Sequence, residues 1–315
     1  MEIAHEQPQD FFQHTVAAEV SCVGVALHTG DMVNMTIRPG AANTGIVFVR
    51  KDVAANNVVP ARFDAVMETT LGTTISNSAG VTVSTIEHVM AALWGAGIDN
   101  ARIELDGAEV PIMDGSSEPF IFLLDCAGRV QQRATRRVIE VLREVTVEEG
   151  ASRATLSPAD GFVLDVEIAF KHPMIATQKA TYDFTDTTFK QALSRARTFG
   201  FARDVEKMRS MGLALGGSLH NAIVLGEEDI MNEGGLRYAD EFVRHKALDC
   251  VGDFYLAQGH LQGRITTSKP GHGINNKLLR ALFSNPANYR IVSEEEEVNA
   301  PAHISRAEQP HYASA

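Results

Sequence analysis

Apolar residues recur along this chain with two different periods. Residues 16–20, 33–37 and 45–50 alternate apolar and polar side chains, which predicts short strands, with turns such as His28-Thr29-Gly30-Asp31 between them. Residues 84–94 switch to helical spacing and close on Gly95 and Gly97, residues suited to a helix end. Residues 101–105 alternate again. Glu118-Pro119 then opens a short helix over 120–127, with proline at a tolerated early position. After the polar, basic stretch 131–137 the pattern restarts. It predicts strands over 138–142, 153–157, 162–170 and 262–267, and helices over 187–195, 205–211, 240–258 and 275–283.

Each half thus runs from strands to a histidine-bearing helix late in that half. This weak internal duplication predicts two α+β layers facing each other, divided within the basic stretch, as residues 1–133 and 134–315. Residues up to about 10 read as a loose extension, and Glu294 to Glu297 as part of a solvated acidic tail.

Length and composition narrow the classes. A chain of 315 residues suggests about two domains and can bury a large core without disulfide staples. Hydrophobic residues at 44% and charged residues at 22% fit a soluble globular protein. A net charge of -12 argues against a nucleic-acid partner, because backbone binding relies on clustered Lys and Arg. Cys22, Cys126 and Cys250 are odd in number, far apart and in no CxxC pattern, so reduced thiols in the cytoplasm are expected. No apolar run approaches the roughly 20 residues that span a bilayer. The polar start Met1-Glu2-Ile3-Ala4-His5 is no secretory signal.

Two segments carry candidate chemistry. In the helix over 240–258, His245, Asp249 and Asp253 recur every fourth residue and share one stripe. Val243, Ala247, Cys250, Val251 and Phe254 form the apolar face. In the helix over 84–94, Glu87 precedes His88 near the positive end of the helix dipole, which favours a neutral imidazole. Two imidazoles and one carboxylate suffice for a catalytic zinc with one position left for water, and a neighbouring Glu could take that water's proton. Each segment also has a plain structural reading. Ser84-x-x-Glu87 is a capping box, and the stripe at 245, 249 and 253 suits a solvated face of His–Asp pairs.

Three further segments are weaker. Gly271 and Gly273 flank His272 before a helix, where a nearby carboxylate such as Asp253 would keep the imidazole protonated as a general acid. Thr198 follows two arginines and could donate to an oxyanion, and Phe199 and Phe201 could line a ligand. The glycine-rich run 212–218 does not match a nucleotide phosphate loop, and residues 113–117 read as a turn rather than a nucleophile elbow.

Taken together, these blocks resemble the UDP-3-O-acyl-N-acetylglucosamine deacetylase family, zinc enzymes of lipid A synthesis. The resemblance rests on Val25-Ala-Leu-His-Thr-Gly30, Ser84-Thr-Ile-Glu-His88, Pro111-Ile-Met-Asp-Gly-Ser116, Ser194-Arg-Ala-Arg-Thr-Phe-Gly200, Gly212-Leu-Ala-Leu-Gly-Gly-Ser218, Glu241-Phe-Val-Arg-His-Lys246 and Gly271-His272, in that order. It implies an α+β fold of two similar domains, each a sheet with helices packed on one face, the helices sandwiched between the two sheets. It implies one zinc per chain on His88, His245 and Asp249, with Glu87 as general base, His272 as its protonated partner and Asp253 holding His272. Thr198 would bond the oxyanion, and Lys246 would lie close to substrate. Phe170 would stack on uracil and Lys269 would sit near the diphosphate. Ala202, Val205, Ala214 and Val224 would wall an apolar acyl passage, with Leu71, Phe199 and Gly217 also against the substrate. A cytoplasmic monomer with transient contact at the inner-membrane surface is expected. Gly72 stands where cysteine is common in better-known members, and residues 218–221 differ where the passage turns; both bear on acyl-length preference. The rival expectations are a zinc amidase for another acylated amino sugar or peptide, and a non-catalytic protein with a structural zinc.

Overall fold

A computed structural model of the chain describes residues 11–185 and 187–292. The acidic run 294–297 and the N-terminal extension over residues 1–10 lie outside the described residues. Two mixed sheets carry the fold. The first sets Val20–Val25, Met32–Pro39, Ala101–Leu105, Ile46–Arg50 and Val58–Pro60 side by side. In Met32–Pro39, Val33, Met35 and Ile37 are buried while Met32 and Asn34 are exposed, so one face meets the core. The second sets Val145–Glu149, Ser152–Ser157, His260–Ser268, Val138–Val141 and Tyr289–Val292 side by side. Phe162–Ala169 pairs parallel with His260–Ser268 and carries Thr177–Asp183 beyond it.

Among the described residues there are six α-helices: α1 Glu87–Gly95, α2 Glu118–Ala127, α3 Phe189–Ala192, α4 Ala202–Ser210, α5 Glu241–Tyr255 and α6 His272–Phe283. Helices α1 and α5 pack on each other, α2 on Val20–Val25, α5 on Phe162–Ala169 and Thr177–Asp183, and α6 on Val145–Glu149 and Ser152–Ser157. Helices α1, α2, α5 and α6 therefore form a middle layer between the sheets. Burial records this directly: every residue of α5 except Arg244 and Lys246 is buried. A helix buried on all sides has no wet face to give its charges to.

Close approach of α1 and α5 depends on Gly252. A Cβ there would stand 2.1 Å from the Glu87 carbonyl oxygen. Glycine at this crossing lets the two backbones touch, and so brings the Glu87-His88 pair against the His245–Asp253 stripe.

Several expectations need correction. The strand expected over 16–20 is a bend between Phe12–Val16 and Val20–Val25. Most of the basic stretch 131–137 is strand Arg129–Thr135, antiparallel to Phe12–Val16, because its backbone finds a partner even though its side chains are polar. The helix over 187–195 shrinks to α3, capped by Thr188. The stripe on α5 is not solvated. No capping box forms at Ser84: Thr85 turns the chain with φ +56, α1 starts at Glu87, and the Ser84 hydroxyl accepts from Thr74 Oγ1 at 3.0 Å. Cys22, Cys126 and Cys250 are free thiols.

Candidate active site

The α1–α5 contact gathers a compact donor set. His88 Nε2 and His245 Nε2 stand 3.6 and 3.3 Å from Asp249 Oδ1. One ligand atom from each of these residues lies within 4.8 Å of the others. His245 Nδ1 donates to the Ala196 carbonyl at 3.0 Å, since a carbonyl can only accept. That leaves the Nε2 lone pair facing the cluster. Burial pushes the His245 pKa down to about 3, so its imidazole is neutral at pH 7. Asp249 Oδ2 accepts from Lys246 Nζ at 2.9 Å, while the buried Oδ1 has no hydrogen-bond donor. Burial opposes the Asp249 charge, but His245 and Lys246 beside it hold the carboxyl well below the usual range. An ionised, donor-less oxygen facing two imidazole nitrogens is an arrangement that a divalent cation would complete, and two His with one Asp suit zinc.

Beside this set lies a second group. Glu87 is 3% exposed, and its Oε2 accepts from the Thr73 N–H at 3.0 Å. His272 opens α6, and its Nδ1 stands 2.8 Å from Asp253 Oδ2. Burial disfavours the charged imidazole, but Asp253 and Glu87 outweigh it and raise the His272 pKa to about 9. Asp253 also accepts from Thr73 Oγ1 at 2.6 Å and from Asn275 Nδ2 at 2.8 Å. Lys246 likewise keeps a raised pKa: burial works against its charge, and Asp249 prevails.

These groups face a polar cavity of about 490 Å³, lined by Glu87, His88, His245, Lys246, Asp249, His272 and Lys269 among others. A second, mainly apolar cavity of about 810 Å³ is lined by Phe170, Ala202, Val205, Ala214, Gly217 and Val224 among others. Leu27, Leu71, Thr198, Phe199 and Lys246 line both. Thr198 is fixed at that junction by its N–H to the Gly115 carbonyl and by its carbonyl to the Ile223 N–H, both 2.8 Å. Gly115 has φ +83, and a Cβ there would meet the Asn221 carbonyl oxygen at 2.2 Å. Phe170 packs edge-on to Phe199 at 5.6 Å on the apolar side. The arginine before Thr198 turns elsewhere: Arg197 pairs with the buried Glu241 at 2.9 Å.

Sequence reasoning missed several supports. Thr73, Asn275, the Ala196 carbonyl and Gly252 all hold site groups. So does Ser117, whose hydroxyl donates to the His88 carbonyl at 2.8 Å. Asn275 carried a signal, three residues after His272 on one helix face; Thr73 carried none.

A family model for UDP-3-O-acyl N-acetylglycosamine deacetylase matches residues 13–284. Among similar curated proteins, the UDP-3-O-acyl-N-acetylglucosamine deacetylase of Shewanella sp. (strain W3-18-1) is 47% identical over 296 residues, 93% of this chain and 97% of that protein. The protein of the same name from Shewanella oneidensis is 48% identical over 292 residues, covering 92% and 95%. That from Hahella chejuensis is 48% identical over 291 residues, covering 92% and 96%.

Proposed function

This chain belongs to the UDP-3-O-acyl-N-acetylglucosamine deacetylase family, and from that premise we propose that it hydrolyses the N-acetyl group of UDP-3-O-acyl-N-acetylglucosamine. The products are acetate and a free 2-amine, in the committed step of lipid A biosynthesis. The observation that carries the reading is the junction itself. A polar cavity bearing a metal-type donor set opens beside an apolar cavity, as a substrate with a sugar at one end and an acyl chain at the other requires.

His88, His245 and Asp249 would hold one divalent ion, zinc in this reading. Such an ion lowers the pKa of bound water from about 15.7 toward about 7 and polarises a carbonyl. Glu87, oriented by the Thr73 N–H, takes the proton of the attacking water. The Thr198 hydroxyl donates to the oxyanion as it forms, and the Lys246 ammonium keeps the Asp249 carboxylate ionised. His272, held at Nδ1 by Asp253, lines the cavity, where its charge stabilises the oxyanion. The leaving amine takes its proton from His272 or Glu87. Lys269 meets the diphosphate, Phe170 the uracil, and Ala202, Val205, Ala214 and Val224 the acyl chain, with Leu71, Phe199 and Gly217 alongside.

No helix among the described residues is long and apolar enough to cross a membrane. We place the reaction in the cytoplasm, on a monomer that touches the inner-membrane surface transiently to collect its acylated substrate. The test is metal analysis of the purified protein together with acetate release from the UDP-linked substrate and from simple acetamides. One metal per chain and strong preference for the UDP-linked substrate are expected. Equal turnover of simple acetamides would point to a different amidase, and a metal-free active enzyme would end the reading.

A further inference from the structure

Thr73 touches both halves of the proton-transfer machinery. Its N–H donates to Glu87 Oε2 at 3.0 Å, and its hydroxyl donates to Asp253 Oδ1 at 2.6 Å. It is 2% exposed, so neither bond competes with bulk water. The loop that delivers it is tightly drawn. Leu71 takes φ +61, a left-handed backbone unusual for leucine. At Gly72 a Cβ would come within 3.2 Å of Glu87 Oε1. This segment therefore lies directly against the base.

Asp253 is committed at both oxygens. Oδ1 accepts from Thr73; Oδ2 accepts from Asn275 Nδ2 and lies 2.8 Å from His272 Nδ1. A buried carboxylate with one donor could rotate about its terminal bond and carry His272 with it. With Thr73 on one oxygen and Asn275 on the other it cannot. We infer that Thr73 is a positioning residue that sets Glu87 and His272 at a fixed separation, through one backbone and one side-chain hydrogen bond from the same amino acid. The inference rests on the roles given above to Glu87, Asp253 and His272.

The hydroxyl can be tested with the N–H left in place. Thr73→Val keeps shape and N–H and removes only the bond to Asp253; Thr73→Ser restores the hydroxyl. In metal-loaded enzyme assayed on the UDP-linked substrate, Thr73→Val should lower kcat by roughly 10- to 100-fold, the scale of a small misplacement of catalytic groups. KM and bound metal should stay at wild-type levels, and Thr73→Ser should recover most of kcat. In an Asp253→Ala background, Thr73→Val should cost nothing further. The His272 Nδ1–H proton resonance of the metal-free protein should shift in Thr73→Val and return in Thr73→Ser. Should Thr73→Val fail to fold, Thr73→Ala is read by the same split and the same resonance. Wild-type kcat in Thr73→Val, a loss confined to KM or metal content, or full additivity with a damaging Asp253→Ala would each overturn the inference. If Asp253→Ala alone is harmless, the Asp253–His272 reading fails, separately from whatever Thr73→Val does to kcat.

Discussion

Two side chains carry the sharpest consequences at the residue scale. Glu87→Gln keeps the size and the bond from the Thr73 N–H but cannot take a proton. It should retain metal and lose roughly 100- to 10,000-fold in kcat, measured as acetate release alongside metal content. In the proposed mechanism His272 governs the pH dependence. Its pKa in the fold, about 9, exceeds the ordinary 6.5 because Asp253 and Glu87 overcome the burial that disfavours its charge. The folded state binds this proton more tightly than the unfolded chain. Its stabilisation is therefore complete below about pH 6.5 and fades as pH rises through about 9. Turnover that needs the imidazolium should fall over the same alkaline limb. In His272→Ala that limb should vanish from the kcat profile along with most of the rate. These residues were legible because they sit at helical spacings or between glycines. Thr73 was not, since its partners lie 14 and 180 residues away and are reached through the left-handed turn at Leu71.

At the scale of elements, the site is a product of one helix crossing. Gly252→Ala would press a methyl group into the Glu87 backbone. Overpacking of this kind costs about 1–3 kcal/mol, and here it also parts the two helices that carry the candidate donor set. Denaturant titration should show the lost stability, and metal analysis should show a weakened site in the folded fraction. Leu248→Ala on the same helix should cost stability, at about 2–5 kcal/mol, through a cavity rather than through helix separation. The stripe of His245, Asp249 and Asp253 could be read from periodicity alone, but its environment could not. Helical periodicity assigns a polar stripe to solvent by default, and α5 has sheet, α1 and α6 around it instead. The Ser84 capping box failed for a related reason: Glu87, which it assigned to the backbone at Ser84, gives its carboxylate to the Thr73 N–H in a neighbouring loop.

For the whole molecule, the donor set joins distant parts of the polypeptide, His88 from α1 and His245 with Asp249 from α5. A bound ion is thus a cross-link between helices contributed by the first and second halves. Chelation should lower Tm as well as abolish activity, and added zinc should restore both. Free metal at 100 times its Kd stabilises by about 2.7 kcal/mol if the unfolded chain does not bind it. Unchanged Tm after verified metal removal would contradict the assignment of ligands to two helices.

His88, His245 and Asp249 are each no more than 4% exposed and face the polar cavity. A sugar seated in that cavity would stand between the ion and bulk solvent like a stopper in a flask. Metal exchange should then be slower in the occupied enzyme than in the free one, so that a cell starved of the ion would forfeit its idle copies before its working ones.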